Sequence, residues 1–109
     1  MKLSVIWIWS QNQDWNKKTE NCLKTELATP GLSSEIFLYC APDHVQVDAA
    51  LGKVEKIAGF GDTSEAEVYN DAMTRVGGDY VTVMFSGDTW EAGSLKAVQD
   101  QANVRSIIM

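Results

Sequence analysis

Three short polar runs hold the side chains with the most chemistry to offer: Ser10-Gln11-Asn12-Gln13, Ala41-Pro42-Asp43-His44 and Ser86-Gly87-Asp88. Each follows directly on an apolar run of strand length. In open parallel sheets ligands bind beyond the carboxyl ends of the strands, so a site is expected in these loops. Ser10, Gln11 and Asn12 can donate hydrogen bonds to a phosphate or a ribose. The helix that follows them adds free N–H groups and the positive end of its dipole. Asp88, two residues after Ser86, supplies a carboxylate where the most strongly marked strand ends. The same residue types also make good turns. Polar loops facing water, with Asp88 capping the turn toward Trp90, are therefore the competing reading.

These loops need elements to hold them. Leu3 to Trp9 is apolar in both alternating sets, which marks a first strand covered on both faces. Asp14 is expected to N-cap a helix running to about Ala28, with Trp15, Thr19, Cys22, Leu23 and Leu27 as its core face. Thr29-Pro30-Gly31 stops it. Glu35 to Cys40 makes a second strand, Ala41 to His44 a loop that opens a short helix through Leu51-Gly52, and Val54 to Ala58 a weaker third strand. Ser64-x-x-Glu67 is a capping box. The helix it starts carries Ala66, Tyr69, Ala72, Met73 and Val76 on one face, and Gly77-Gly78, free to turn left-handed, should end it. Tyr80 to Phe85 is greasy on both faces, as in a strand covered on both sides. Residues 94–102 form a fourth helix with Leu95, Val98 and Ala102 inward, and Val104 to Met109 a last apolar strand. The alternation predicts one α/β domain over residues 1–109, a doubly wound, mostly parallel Rossmann-like sheet with helices on both faces.

The chain has 109 residues and a net charge of −6 with no basic block, which disfavours nucleic acid and anionic membranes as partners. Leu3 to Trp9 is too short to span a bilayer and lacks the basic start of a signal peptide. Cys22 and Cys40 read as small buried hydrophobes in a reduced, cytoplasmic setting. His44 lacks any matching ligand spacing and reads as a solvated loop histidine. The tryptophans read as mostly core, with one at the end of a central strand available to stack on a base.

The stretch from Asn70 to Leu95 resembles the family 2 glycosyltransferases of the GT-A fold. The match uses Asn70, Ala72, Gly78, Asp79, Tyr80, Asp88, Trp90, Glu91, Gly93 and Leu95 without a gap. At the amino terminus Leu3-Ser4-Val5-Ile6, Asp14-Trp15, Thr19 and Cys22-Leu23 resemble the family's first strand and helix. The resemblance implies a strand order 3-2-1-4 and a crevice between the first and fourth strands that gathers the three polar loops. A nucleotide diphosphate sugar, such as a UDP-sugar, would lie there against Ser10, Gln11, Asn12, Asp43, Asn70, Ser86 and Asp88. Mg²⁺ or Mn²⁺ would be held by Asp88, together with Asp43 or the bound diphosphate. Asn70 is expected near the diphosphate sugar, or else in a hydrogen bond between helix and loop.

The sequence also departs from the family. Phe85 and Gly87 stand where the DxD aspartates belong, and Cys40-Ala41-Pro42-Asp43 replaces the stretch that reads the base. The family's catalytic base and acceptor site come from chain beyond position 109. One expectation is therefore a donor-binding half of an enzyme that transfers a sugar with inversion. The other is a degenerate domain of the same fold serving as a binding or assembly module, homo-oligomeric through the open edge left by the last strand, Ser106-Ile107-Ile108-Met109. A receiver-like or flavodoxin-like domain fits the alternation but lacks the acidic pair and phosphate loop after the first strand.

Overall fold

The computed structural model describes residues 2–42, 44–60 and 64–100. Lys2–Ile8 form β1, and every side chain from Leu3 to Trp7 is buried. A strand apolar on both faces needs cover on both. Leu3, Val5 and Trp7 pack with Leu23 of α1 (Gln13–Glu26), while Ile6 shares the opposite face with Val68 and Ala72 of α2 (Glu65–Met73). β1 is paired in parallel with β2 (Ser33–Tyr39) on one side and with β4 (Tyr80–Phe85) on the other. β3 (Val54–Ile57) lies beyond β2, also parallel. The order β3-β2-β1-β4, with helices on both faces, is a doubly wound Rossmann-like α/β sheet, in the strand order that the resemblance implies.

Several faces and ends differ from expectation for local reasons. α1 starts at Gln13 because Asn12, not Asp14, is its N-cap: the Asn12 side chain accepts from the Trp15 N–H at 3.2 Å. Its buried line is Asn16, Thr19, Leu23 and Glu26. The polar members are drawn inward because they bond to loop backbone, and Trp15, expected in the core, is 51% exposed. α2 buries Val68 and Ala72, while Ala66 is exposed and Met73 is 53% exposed. At 100° per residue Ala66 and Met73 lie about 100–120° around the helix from Ala72. The Tyr39 hydroxyl, donating to Asp71 Oδ2 at 2.6 Å, anchors the other side.

Neither Gly77 nor Gly78 turns left-handed; α2 ends at Thr74 in ordinary right-handed geometry. Gly78 is instead required by close approach, as a Cβ there would stand 2.6 Å from Ser4 Oγ and 2.8 Å from Ser4 N. The short helix expected before Gly52 is one 3-10 turn, Ala49–Leu51, capped by Asp48. β4 is not covered on both sides: Tyr80, Val81 and Phe85 are exposed, and no strand pairs with its outer edge among the described residues. Residues 94–100 are helical, with Leu95 buried but Val98 exposed rather than inward. Ala102 and the strand expected from Val104 to Met109 lie outside the described residues. Among the described residues no helix is long and apolar enough to cross a membrane.

Carboxylates tie the strands, helices and turns to one another. Burial pushes the Glu35 carboxyl up, but the Gly77 N–H at 2.9 Å, the Ser4 hydroxyl at 2.9 Å and the Lys2 ammonium at 3.6 Å outweigh it and hold it below its ordinary value. The Arg75 guanidinium and the Tyr39 hydroxyl lower Asp71, and the Ala50 N–H and Lys24 lower Asp48. A depressed carboxyl binds fewer protons folded than unfolded. Its contribution is therefore complete above the unfolded values and is lost as pH falls through the folded ones. Thermal melts should hold constant from neutral pH down to the ordinary carboxylate range and then fall. Glu35→Gln should flatten that acid limb, and an unchanged limb would remove Glu35 from the set.

Candidate functional site

The carboxyl ends of β1 and β2 open onto a cleft of ≈ 470 Å³ lined by Trp9, Ser10, Gln11, Gln13, Cys40 and Pro42. The volume falls within the range of about 300–1,000 Å³ usual for small-molecule sites. Among the described residues its lining carries no charged side chain. Trp9 follows β1 and tilts against the buried Trp7, ring centroids 5.4 Å apart, so its position at the strand end is fixed by packing.

The first loop spends much of its polarity on itself. Ser10 N–H donates to Asn16 Oδ1 at 2.9 Å, and Asn16 Nδ2 donates back to the Ser10 carbonyl at 2.7 Å. The Ser10 hydroxyl accepts from Asn12 N–H at 3.0 Å, and Asn12 caps α1. Gln11 and Gln13 are exposed amides; Gln13 Oε1 accepts from Asn16 Nδ2 at 3.5 Å, which leaves its NH₂ group to donate. By helix geometry the N–H groups of Gln13 and Asp14 have no acceptor within α1, so the cleft borders a helix start with donors to spare.

The second loop begins at Cys40, which has a left-handed backbone, φ 67°, and whose thiol donates to the Phe60 carbonyl at 3.0 Å. Burial pushes this thiol up, the opposite of an activated nucleophile. A left-handed cysteine carries no sequence signal, and Cys40 was missed as a cleft residue for that reason. Asp43, expected to read a base or share a cation, lies outside the described residues. His44 is exposed.

The third loop does not join the cleft lining. Ser86 is buried, its N–H donating to the Ile8 carbonyl at 3.0 Å and its hydroxyl accepting from Trp7 Nε1 at 2.9 Å. Gly87 N–H points at the Trp15 carbonyl, 3.1 Å, and at Thr19 Oγ1, 2.9 Å. Gly87 has φ 102°, and a Cβ there would press the Trp15 ring at 3.3 Å, so glycine is needed on both counts. Asp88 answers both backbone groups of Phe85: its Oδ2 accepts the Phe85 N–H at 3.0 Å and its own N–H donates to the Phe85 carbonyl at 2.9 Å. Asn70 lies on the exposed side of α2, about 200° around from Val68 and from Ala72, and is not brought to the cleft.

The carboxylate proposed for Mg²⁺ or Mn²⁺ is thus engaged in a turn, and no group of three His, Cys, Asp or Glu converges among the described residues. Asp88 by itself does not fit a cation site, since hard cations take several oxygen ligands. The structure therefore unites the first two polar loops and turns the third to a structural task. Set against family models, characterised proteins and solved structures, the chain finds no match in any of the three.

Proposed function

We propose that the chain is a nucleotide-binding domain whose cleft beyond β1 and β2 takes the nucleoside end of a nucleotide diphosphate sugar, with Trp9 as a stacking surface and Gln11 and Gln13 as donors. The observation that carries this reading is the placement of the ≈ 470 Å³ cleft at the carboxyl ends of parallel strands beside the start of α1. The described lining residues are all uncharged and none of them neutralises a diphosphate, so the expected affinity is weak. Inverting sugar transfer, as in the family 2 glycosyltransferases, belongs on this reading to a longer or ancestral protein. A second reading, a non-catalytic binding or assembly module that forms homo-oligomers, is favoured by the engagement of Asp88 in the Phe85 turn.

Titration of the 109-residue chain with UDP, followed by amide NMR, separates the two. Shifts confined to residues 9–13 and 40–44, indifferent to Mg²⁺ or Mn²⁺, are expected. Gln11→Ala should weaken binding several-fold, the loss of about one exposed hydrogen bond, with an unchanged melt. Metal-dependent shifts at residues 86–90 would return Asp88 to the site. An unresponsive spectrum at millimolar nucleotide would leave the assembly reading.

A further inference from the structure

The two edges of the sheet are built differently. β3 is four residues long and presents Glu55 and Lys56 to solvent, the usual protection against unwanted strand pairing. β4, Tyr80-Val81-Thr82-Val83-Met84-Phe85, has no charged residue or proline. Ser86 N–H points to β1, so by the alternation of a strand the even-numbered residues of β4 pair inward. The N–H and C=O groups of Val81, Val83 and Phe85 then face the outer edge. Phe85 is already closed by Asp88, which leaves Val81 and Val83 open among the described residues. Val81 is 42% exposed, and an apolar groove lined by Tyr80, Thr82, Trp90, Leu95 and Val98 runs beside it.

We infer that a second copy of this chain occupies that edge, β4 lying antiparallel to β4 of its partner about a two-fold axis normal to the sheet. Because Asp88 closes Phe85, the register that uses both open residues of each copy sets Val81 opposite the partner's Val83, each pair exchanging both its hydrogen bonds. Thr82 then faces the partner's Thr82 across the axis. Val81 and Val83 of both copies join into one apolar strip on the α2 face. No charge is brought against a like charge within the paired strands, despite the net charge of −6.

The apolar run from Val104 to Met109 is the rival occupant within this chain. It follows a connection that packs on the α1 face through Trp90 and Leu95. β1 to α1 to β2 already uses that face to move toward β3. A right-handed parallel return on the same face leads the same way, away from the free edge of β4. The inference does not depend on nucleotide binding.

Sedimentation velocity of the full chain over a concentration series should show a monomer–dimer equilibrium. Val81→Lys should raise its dissociation constant about tenfold or more without altering the circular dichroism or the melt. Thr82→Cys reads the register, since residues facing each other in a non-hydrogen-bonded antiparallel pair lie about 4.5 Å apart at Cα, within disulfide reach. Oxidation should yield a covalent dimer whose peptide map shows the link between the two introduced thiols. A chain that remains monomeric at every concentration, as one with its own 104–109 run on β4 would, overturns the proposal. So does a dimer indifferent to Val81→Lys, or one in which Thr82→Cys fails to cross-link.

Discussion

Replacing Gly78 with alanine should cost about 3 kcal/mol of folding stability, near the upper end for overpacking, because the new methyl meets backbone rather than a yielding side chain. The Cβ would stand 2.8 Å from Ser4 N and 2.9 Å from the Lys2 carbonyl, both in the central strand, besides 2.6 Å from Ser4 Oγ. Relief requires moving β4 away from β1 or giving up the Gly78 N–H bond to the Ser4 hydroxyl. A domain of this size has roughly 5–15 kcal/mol in all, so the variant should show a large drop in its urea midpoint. Gly77→Ala is the control. A Cβ there meets nothing closer than Glu35 Oε1 at 3.6 Å, and its φ is not left-handed. It should be neutral or stabilise by up to about 1 kcal/mol through the unfolded chain. Equal midpoints for the two variants would refute the close-approach argument.

Glu26→Ala should cost about 2–3 kcal/mol. Glu26 is 4% exposed, and its two oxygens accept the Gly93 N–H at 3.2 Å and the Leu95 N–H at 3.3 Å. They meet the N–H groups that open the helix at 94–100, so a carboxylate from α1 caps a segment nearly seventy positions later. Removing it leaves buried donors without acceptors and withdraws a negative charge from a helix start. Glu26→Gln keeps the shape and one acceptor and should recover about half. Hydrogen exchange separates this from a general loss of stability. The amides of Gly93 and Leu95 should lose protection before those of β1 and β2, and uniform loss would count against the cap.

Glu26 also shows how far residue types carry. An acid in the last turn of a helix opposes the macrodipole, and this was a visible signal that Glu26 serves something other than its own helix. Its partner was not visible, because nothing local ties Glu26 to Gly93. β1 and β2 were legible since both alternating sets are apolar, a pattern with few other solutions. The alternation of strands and helices carried the fold class, and the resemblance carried the strand order. The faces of α1 and α2 were less legible. Thr19 was placed inward by its spacing and is buried, but Asn16 is buried to bond the loop just before its own helix, Glu26 to bond residues 93 and 95, and Asp71 is held by Tyr39. Counting apolar side chains misses polar groups recruited by distant partners. Of the candidate loops, Ser10, Gln11, Gln13 and Pro42 line one cleft, as the position of loops beyond parallel strands leads one to expect. Ser86 and Asp88 are instead hydrogen-bonded to Trp7, Ile8 and Phe85, long-range and turn contacts that residue type alone does not reveal.

The position of β1 has a consequence for synthesis. Of the described strands, the earliest in sequence lies inside the sheet, and one of its neighbours is built from residues 80–85. The Lys2 N–H bond to Asp79 spans 77 positions. On a ribosome adding roughly 5–20 residues per second, the apolar stretch from Leu3 to Trp9 is exposed for several seconds before β4 can reach it. Folding of this chain is therefore a late, largely post-emergence event. Until then the stretch from Leu3 to Trp9 is apolar surface that a holdase chaperone would bind.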